Sequence, residues 1–239
     1  MGFAYCLLIM KCIINWFLVL LGIRKPLLVV FTGTIGGGKT SAVKFANKLP
    51  GVVGLQECTD EVFSELFFKH VPQDKNSCRH ILFSFVIPKV MIALTLVRRR
   101  FLRPHMVVLD RLALDNLGFS YTMNFKEPDE NFSFCLSMAD RLRESFNIRI
   151  YFIEYISASV HREVLSRRAE SCVAPKEKLI REEEINNYDW FVMRELNFVL
   201  RHYYRAAGYS LNLMRYVAKS SDSPLRHQDT LMNILYNAL

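Results

Sequence analysis

The chain has 239 residues, 51% of them hydrophobic and 23% charged, which excludes a disordered chain, since such chains lack the apolar surface to offset ordering entropy. Ten glycines and eight prolines are too few for a collagen-like or low-complexity protein, and the length suits one large domain or one domain plus an appendage. The net charge of +8 points to an anionic partner: nucleic acid, an acidic membrane or a phosphate-bearing small molecule.

Residues Phe3 to Ile23 are almost wholly apolar, interrupted by Lys11 and Asn15 and followed at once by Arg24 and Lys25. About 20 apolar residues suffice to span a bilayer. No basic n-region or small-residue cleavage site marks a signal peptide. Two readings as a helix stay open for residues 1–23, a membrane anchor with the bulk of the chain in the cytosol or an amphipathic helix packed on the protein surface, and a third is a non-native extension. The remaining residues, 24–239, form the main domain. The six cysteines show no C-x-x-C spacing, which predicts reduced thiols in a cytoplasmic setting rather than a disulfide framework or a zinc site.

Leu27 to Phe31 (LLVVF) reads as a fully buried strand. A Gly-rich turn follows, then a helix from Ser41 to Leu49 that stops at Pro50-Gly51. Gly51 to Glu57 predicts a short second strand, Thr59 to His70 a helix capped by Thr59, and His80 to Phe101 a long helix kinked at Pro88. Met106 to Asp110 (MVVLD) is a third buried strand. Helices are expected over Leu112–Met123, Phe132–Phe146 and Ala158–Arg168, with a strand at Ile148–Glu154. A charged helix is expected from Lys176 to Ala206, a strand at Tyr209–Met214 and a last helix at Gln228–Leu239. Strands alternating with helices predict an α/β fold with a parallel sheet and helices on both faces.

Gly33-Thr34-Ile35-Gly36-Gly37-Gly38-Lys39-Thr40 matches G-x-x-x-x-G-K-[ST], placed between a buried strand and an amphipathic helix. Its amides, with that of Ser41, can converge on a phosphate, and the helix turns its positive end to the same anion. Lys39 would reach the outer phosphates and the Thr40 hydroxyl would hold Mg²⁺. The motif predicts a P-loop NTPase that takes ATP and Mg²⁺. Asp110 ends a buried strand at the edge where open α/β sheets bind ligands, and suits Mg²⁺; a helix N-cap would also place it there. Arg111 could clamp a transferring phosphoryl group or make a surface ion pair. Glu57, at the end of the second strand, could take a proton from an attacking hydroxyl. Arg162, Arg167 and Arg168 form either an arginine-rich lid or a solvated helix face.

With these residues in view, the stretch from about Leu27 to Met214 resembles the deoxynucleoside kinase family, which includes the cellular deoxycytidine and deoxyguanosine kinases and the herpesvirus thymidine kinases. Val108-Leu109-Asp110-Arg111, with Asp115 one helical turn on, is similar to the family's acidic-Arg motif and its aspartate at the nucleoside pocket. Arg149 to Glu170, followed by a stretch containing Tyr188, Trp190 and Leu196, is similar to the family's strand, arginine-rich lid and long helix. The resemblance implies a three-layer P-loop fold and ATP-dependent phosphorylation of a deoxynucleoside 5′-hydroxyl in DNA precursor salvage. It implies Glu57 as general base, catalytic roles for Arg111, Arg162 and Arg168, and substrate contacts from Asp115 and Glu170. No nucleic acid is expected as partner, membrane contact through residues 3–23 stays open, and a homodimer is compatible with the family.

The chain also departs from the family. Cys58 replaces a proline after the base, Phe83-Ser84-Phe85-Val86 carries Val86 where the family has a base-reading glutamine, and Ala93 stands where some members carry an arginine. Phe83, Phe85 and Val86 therefore line a pocket whose base preference is rebuilt, broad or lost, because valine offers no paired hydrogen bonds to a base edge. Two alternatives follow: a thymidylate kinase-like nucleoside monophosphate kinase, and a catalytically reduced, membrane-tethered nucleotide-binding protein. Against the first, no arginine lies between Gln56 and Leu66 to meet an acceptor's phosphate.

Overall fold

The structure, a computed structural model, describes residues 2–34, 36–56, 75–99, 102–122, 128–170, 175–216, 230 and 233–239. The elements run α1 (Gly2–Leu20), β1 (Leu27–Gly33), α2 (Lys39–Ala46), β2 (Val52–Leu55), α3 (Lys75–Arg98), β3 (Met106–Asp110), α4 (Ala113–Thr122), α5 (Pro128–Ser145), β4 (Asn147–Tyr155), α6 (Ala158–Glu170), α7 (Pro175–Asn186), α8 (Trp190–Ala206) and β5 (Leu211–Tyr216). Residues 233–238 form a last helical segment.

The five described strands make one sheet in the order β2-β3-β1-β4-β5, and every pairing is parallel. A parallel sheet must be covered on both faces, and the side-chain alternation of the central strand shows how. Leu28 and Val30 join a buried cluster with Val90 and Leu94 of α3, Leu117 of α4, Leu142 of α5 and Tyr204 of α8. Leu27, Val29 and Phe31 face the other way, into a cluster with Val43 and Ala46 of α2, Leu8 and Cys12 of α1, and Leu235. The result is the expected three-layer α/β fold of P-loop NTPases.

The order of strands fixes the site. The chain leaves β1 for β2 on one side of the sheet, while β3 leads across β1 to β4 on the other. Neighbouring strands whose connections diverge leave a crevice at their carboxyl ends, so β1 and β3 flank the topological switch point.

Two readings change in the folded chain. The charged helix expected over 176–206 is two helices, broken between Asn186 and Trp190. The Asp189 carboxylate accepts from the amides of Phe191 and Val192 and so starts α8 afresh. The apolar N-terminus is helical as either reading requires, but it lies against the domain: Leu8, Cys12 and Val19 are buried. Its Lys11 donates to the Tyr236 carbonyl (3.0 Å), and the Trp16 indole donates to the Arg103 carbonyl (2.9 Å). No helix among the described residues is long and apolar enough to cross a membrane. The helix expected at 59–70 and most of 217–232 lie outside the described residues. Cys6, Cys12 and Cys135 are free thiols, and burial pushes Cys12 up to about 11 and Cys135 to about 12.

At the opposite edge of the sheet His105 is buried, and neither ring nitrogen has a hydrogen-bond partner among the described residues. Burial lowers its pKa from 6.5 to about 4. The unfolded chain therefore binds a proton that the fold rejects. Stability from this group is complete above pH 6.5 and is lost as pH falls toward 4, by about 3 kcal/mol. Urea titrations across that range should show the wild type losing this increment relative to His105→Leu; parallel pH profiles would contradict the assignment.

Candidate functional site

The glycine-rich turn after β1 is built from backbone that only glycine tolerates. Gly33 has φ +101°, and a Cβ there would lie 2.2 Å from the Ile153 carbonyl oxygen on β4. Gly38 has φ +73° and forms the N-cap of α2 without a side chain. With no side chain at the Gly38 cap, the N-terminus of α2 is left clear as a cradle for an anion, while the Thr34 and Gly37 amides donate within the fold to the Ile153 and Thr34 carbonyls. Thr34, Gly36, Gly37 and Gly38 all belong to this turn, Ser41 is exposed on the first turn of α2, and Ile35 lies outside the described residues.

Lys39 is the first residue of α2 and is buried. Its ammonium donates to the carbonyls of Thr34 (2.6 Å) and Gly33 (3.3 Å), so it is held along the inside of the loop. Thr40 follows, and its hydroxyl donates to Asp110 Oδ2 at 2.7 Å. Asp110 reaches that position because β3 pairs with β1 in the register Phe31↔Asp110. Its other carboxylate oxygen is buried and has no hydrogen-bond partner among the described residues. An orphaned carboxylate oxygen beside a hydroxyl is the hard oxygen donor set that Mg²⁺ prefers.

Arg111 has φ +69°, a left-handed conformation that costs a non-glycine residue about 1–3 kcal/mol and is kept only where the surroundings enforce it. Here its amide donates to the Phe31 carbonyl (2.9 Å), and its guanidinium lies 3.7 Å from Asp115 Oδ1. Asp115, expected at the nucleoside pocket, is fully buried. The Thr32 hydroxyl donates to Oδ1 (2.5 Å), while the Tyr204 hydroxyl (2.5 Å) and the Leu112 amide (3.0 Å) donate to Oδ2. Burial, with the Asp115 carboxylate beside it, pushes the Tyr204 hydroxyl well above the usual tyrosine range and keeps it a donor. Asp115 therefore ties β1, the turn after β3 and α8 into one buried knot that holds Arg111.

Lys89, on α3 just after Pro88, is also buried, and its ammonium donates to the Asp110 carbonyl at 2.6 Å. Nothing in a motif singled it out; the available signal was a lone cation inside an apolar helix. Asn197 of α8 exchanges hydrogen bonds with the Thr34 hydroxyl, and the Tyr155 hydroxyl donates to the Gly36 carbonyl (3.0 Å). These residues fasten the loop from outside and carry no local sequence signature.

Over the loop lies α6. A Cβ on Gly36 would meet the side chains of Val164 and Leu165 at 3.4 Å. His161, fully buried, stacks on Tyr155 (4.9 Å between ring centroids), and its Nδ1 lies 3.1 Å from the Tyr188 hydroxyl. Arg162 is exposed, with its guanidinium 5.2 Å from the centre of the Tyr188 ring. Glu170 is exposed at the far end of α6. Glu57 and the side chains of Phe83, Phe85, Val86 and Arg168 lie outside what the structure describes. Lys39, Thr40, Asp110 and Arg111 are thus brought together, while Arg162 and Glu170 stand apart on α6.

Tyr204→Phe removes one donor from a buried carboxylate. It should lower stability by about 1–3 kcal/mol in urea unfolding; an unchanged unfolding midpoint would show that the knot is not held through that hydroxyl.

No family model matches the chain, and no curated protein sequence does. Among solved structures, the chain is similar to a deoxyadenosine kinase from M. mycoides with the products dCMP and a flexible dCDP bound. That match has 13% identity and a TM-score of 0.48, over 89% of this chain and 100% of the other. The same kinase with bound dATP matches at 14% identity and a TM-score of 0.48, over 87% of this chain and 98% of that one. A thymidylate kinase from Ehrlichia chaffeensis matches at 11% identity and a TM-score of 0.47, over 90% and 96% respectively.

Proposed function

We propose that the protein is an ATP-dependent kinase that phosphorylates the 5′-hydroxyl of a deoxynucleoside. The observation that carries this reading is the Thr40–Asp110 pair at the switch point, with one buried Asp110 oxygen left over beside a glycine-rich anion cradle. In this reading the loop amides and Lys39 hold the donor phosphates. Thr40 and Asp110 are the residues that would hold Mg²⁺, which when bound neutralises charge between the outer phosphates.

Glu57 takes the proton of the acceptor hydroxyl. The acceptor's 5′ oxygen forms the new bond to the terminal phosphorus as the bond to the departing diphosphate breaks. Support comes from the strand before it: Leu55 pairs with Leu109, one residue short of Asp110, so the chain leaves β2 at the same edge. Arg111 steadies the phosphoryl group, held in place by Asp115 beneath it. Arg162 and Arg168 act from α6 as lid arginines, with Phe83, Phe85, Val86 and Glu170 toward the nucleoside.

A second reading, a monophosphate acceptor as in thymidylate kinases, is favoured by Lys89. With Arg111 it supplies two buried cations on the α3 side of Asp110. A panel of deoxynucleosides and their monophosphates with Mg·ATP separates the two: product from nucleosides is expected, and turnover of monophosphates alone would replace the first reading with the second. Glu57→Gln should cut turnover by roughly 10²–10⁴-fold while ATP affinity is kept; a wild-type rate would remove Glu57 as the base.

A further inference from the structure

The outer face of α1 is built the wrong way round for a helix facing water. Met10, Ile13, Ile14, Phe17, Leu20 and Leu21 recur at helical spacing, and each is between 40% and 72% exposed. The polar residues of the helix are turned away from that stripe. Lys11 is drawn inward, its ammonium on the Tyr236 carbonyl and 3.7 Å from the centre of that ring. Asn15 is engaged at both ends of its amide, donating to the Lys11 carbonyl and accepting from Arg24. A contiguous apolar stripe of this kind marks an interaction surface.

Its rim says what the surface meets. Arg24 folds back along the helix to Asn15, and Lys25 follows it, exposed. An apolar stripe bordered by basic residues is the pattern of a helix lying in a lipid–water interface. A second copy fits poorly, because residues 2–25 contain no acidic residue to meet this rim. A spanning helix is inconsistent with Leu8 and Cys12 in the core and with Lys11 on Tyr236.

We infer that α1 docks the protein in the plane of an anionic membrane surface, through the Met10–Leu21 stripe and the Arg24 and Lys25 rim beside it. The full chain should co-sediment with vesicles containing phosphatidylserine, weakly with phosphatidylcholine vesicles, and should be released by high salt. The exposed double substitution Ile14→Glu/Phe17→Glu should lower the fraction bound by roughly tenfold or more, with unchanged circular dichroism and thermal midpoint. Arg24→Glu/Lys25→Glu should remove the preference for phosphatidylserine. Failure of the wild type to bind phosphatidylserine vesicles would overturn the inference. So would equal binding by the Ile14→Glu/Phe17→Glu variant, or a wild-type dimer in light scattering that this variant dissolves without any vesicle binding.

Discussion

Parallel pairing of β1 with β3, in the register that sets Phe31 opposite Asp110, is the constraint on which the rest of the candidate site depends. It levels the end of β3 with the start of the glycine-rich turn, so the Asp110 carboxylate meets the Thr40 hydroxyl one helix N-terminus away. A slip of β3 by one residue would turn Asp110 to the other face of the sheet and send Met106 and Val108 into the wrong layer. Because both layers are fully packed on this strand, register and site are specified by the same burial.

Beneath that pair, Asp115 acts as a second fixed point. A buried carboxylate is costly unless its oxygens are satisfied, and here donors come from β1, the turn after β3 and α8. The left-handed backbone at Arg111 is the local cost of this arrangement, and the return is an arginine held immobile beside Asp110. For the proposed phosphoryl transfer, preorganised charge of this kind would be the protein's main contribution, since little covalent chemistry falls to it.

Much of this was legible in the residues themselves. LLVVF and MVVLD announced buried strands, and the glycine-rich turn, Lys39, Thr40 and Asp110 followed from their positions relative to those strands. What could not be read depended on partners distant in the chain. The hydrogen bond that Asp115 accepts from Tyr204, 89 residues on, leaves no mark in the sequence around either residue. Lys11 reads as an awkward charge in a membrane span until the Tyr236 carbonyl, 225 residues away, accepts from it. Apolar composition alone is equally suited to spanning a bilayer and to docking on a domain, and tertiary contacts decide between them. The break before α8 carried only Asp189 as a start signal, without glycine or proline to mark it.

The central claim is that Thr40 and Asp110, brought together by strand register, complete a metal-dependent nucleotide site. It is tested most directly by calorimetric titration of ATP into the full chain with and without Mg²⁺, for the wild type and for Asp110→Asn. The account predicts that Mg²⁺ tightens ATP binding to the wild type and that Asp110→Asn loses this gain while retaining its Mg²⁺-free affinity. An equal Mg²⁺ gain in both proteins would contradict it.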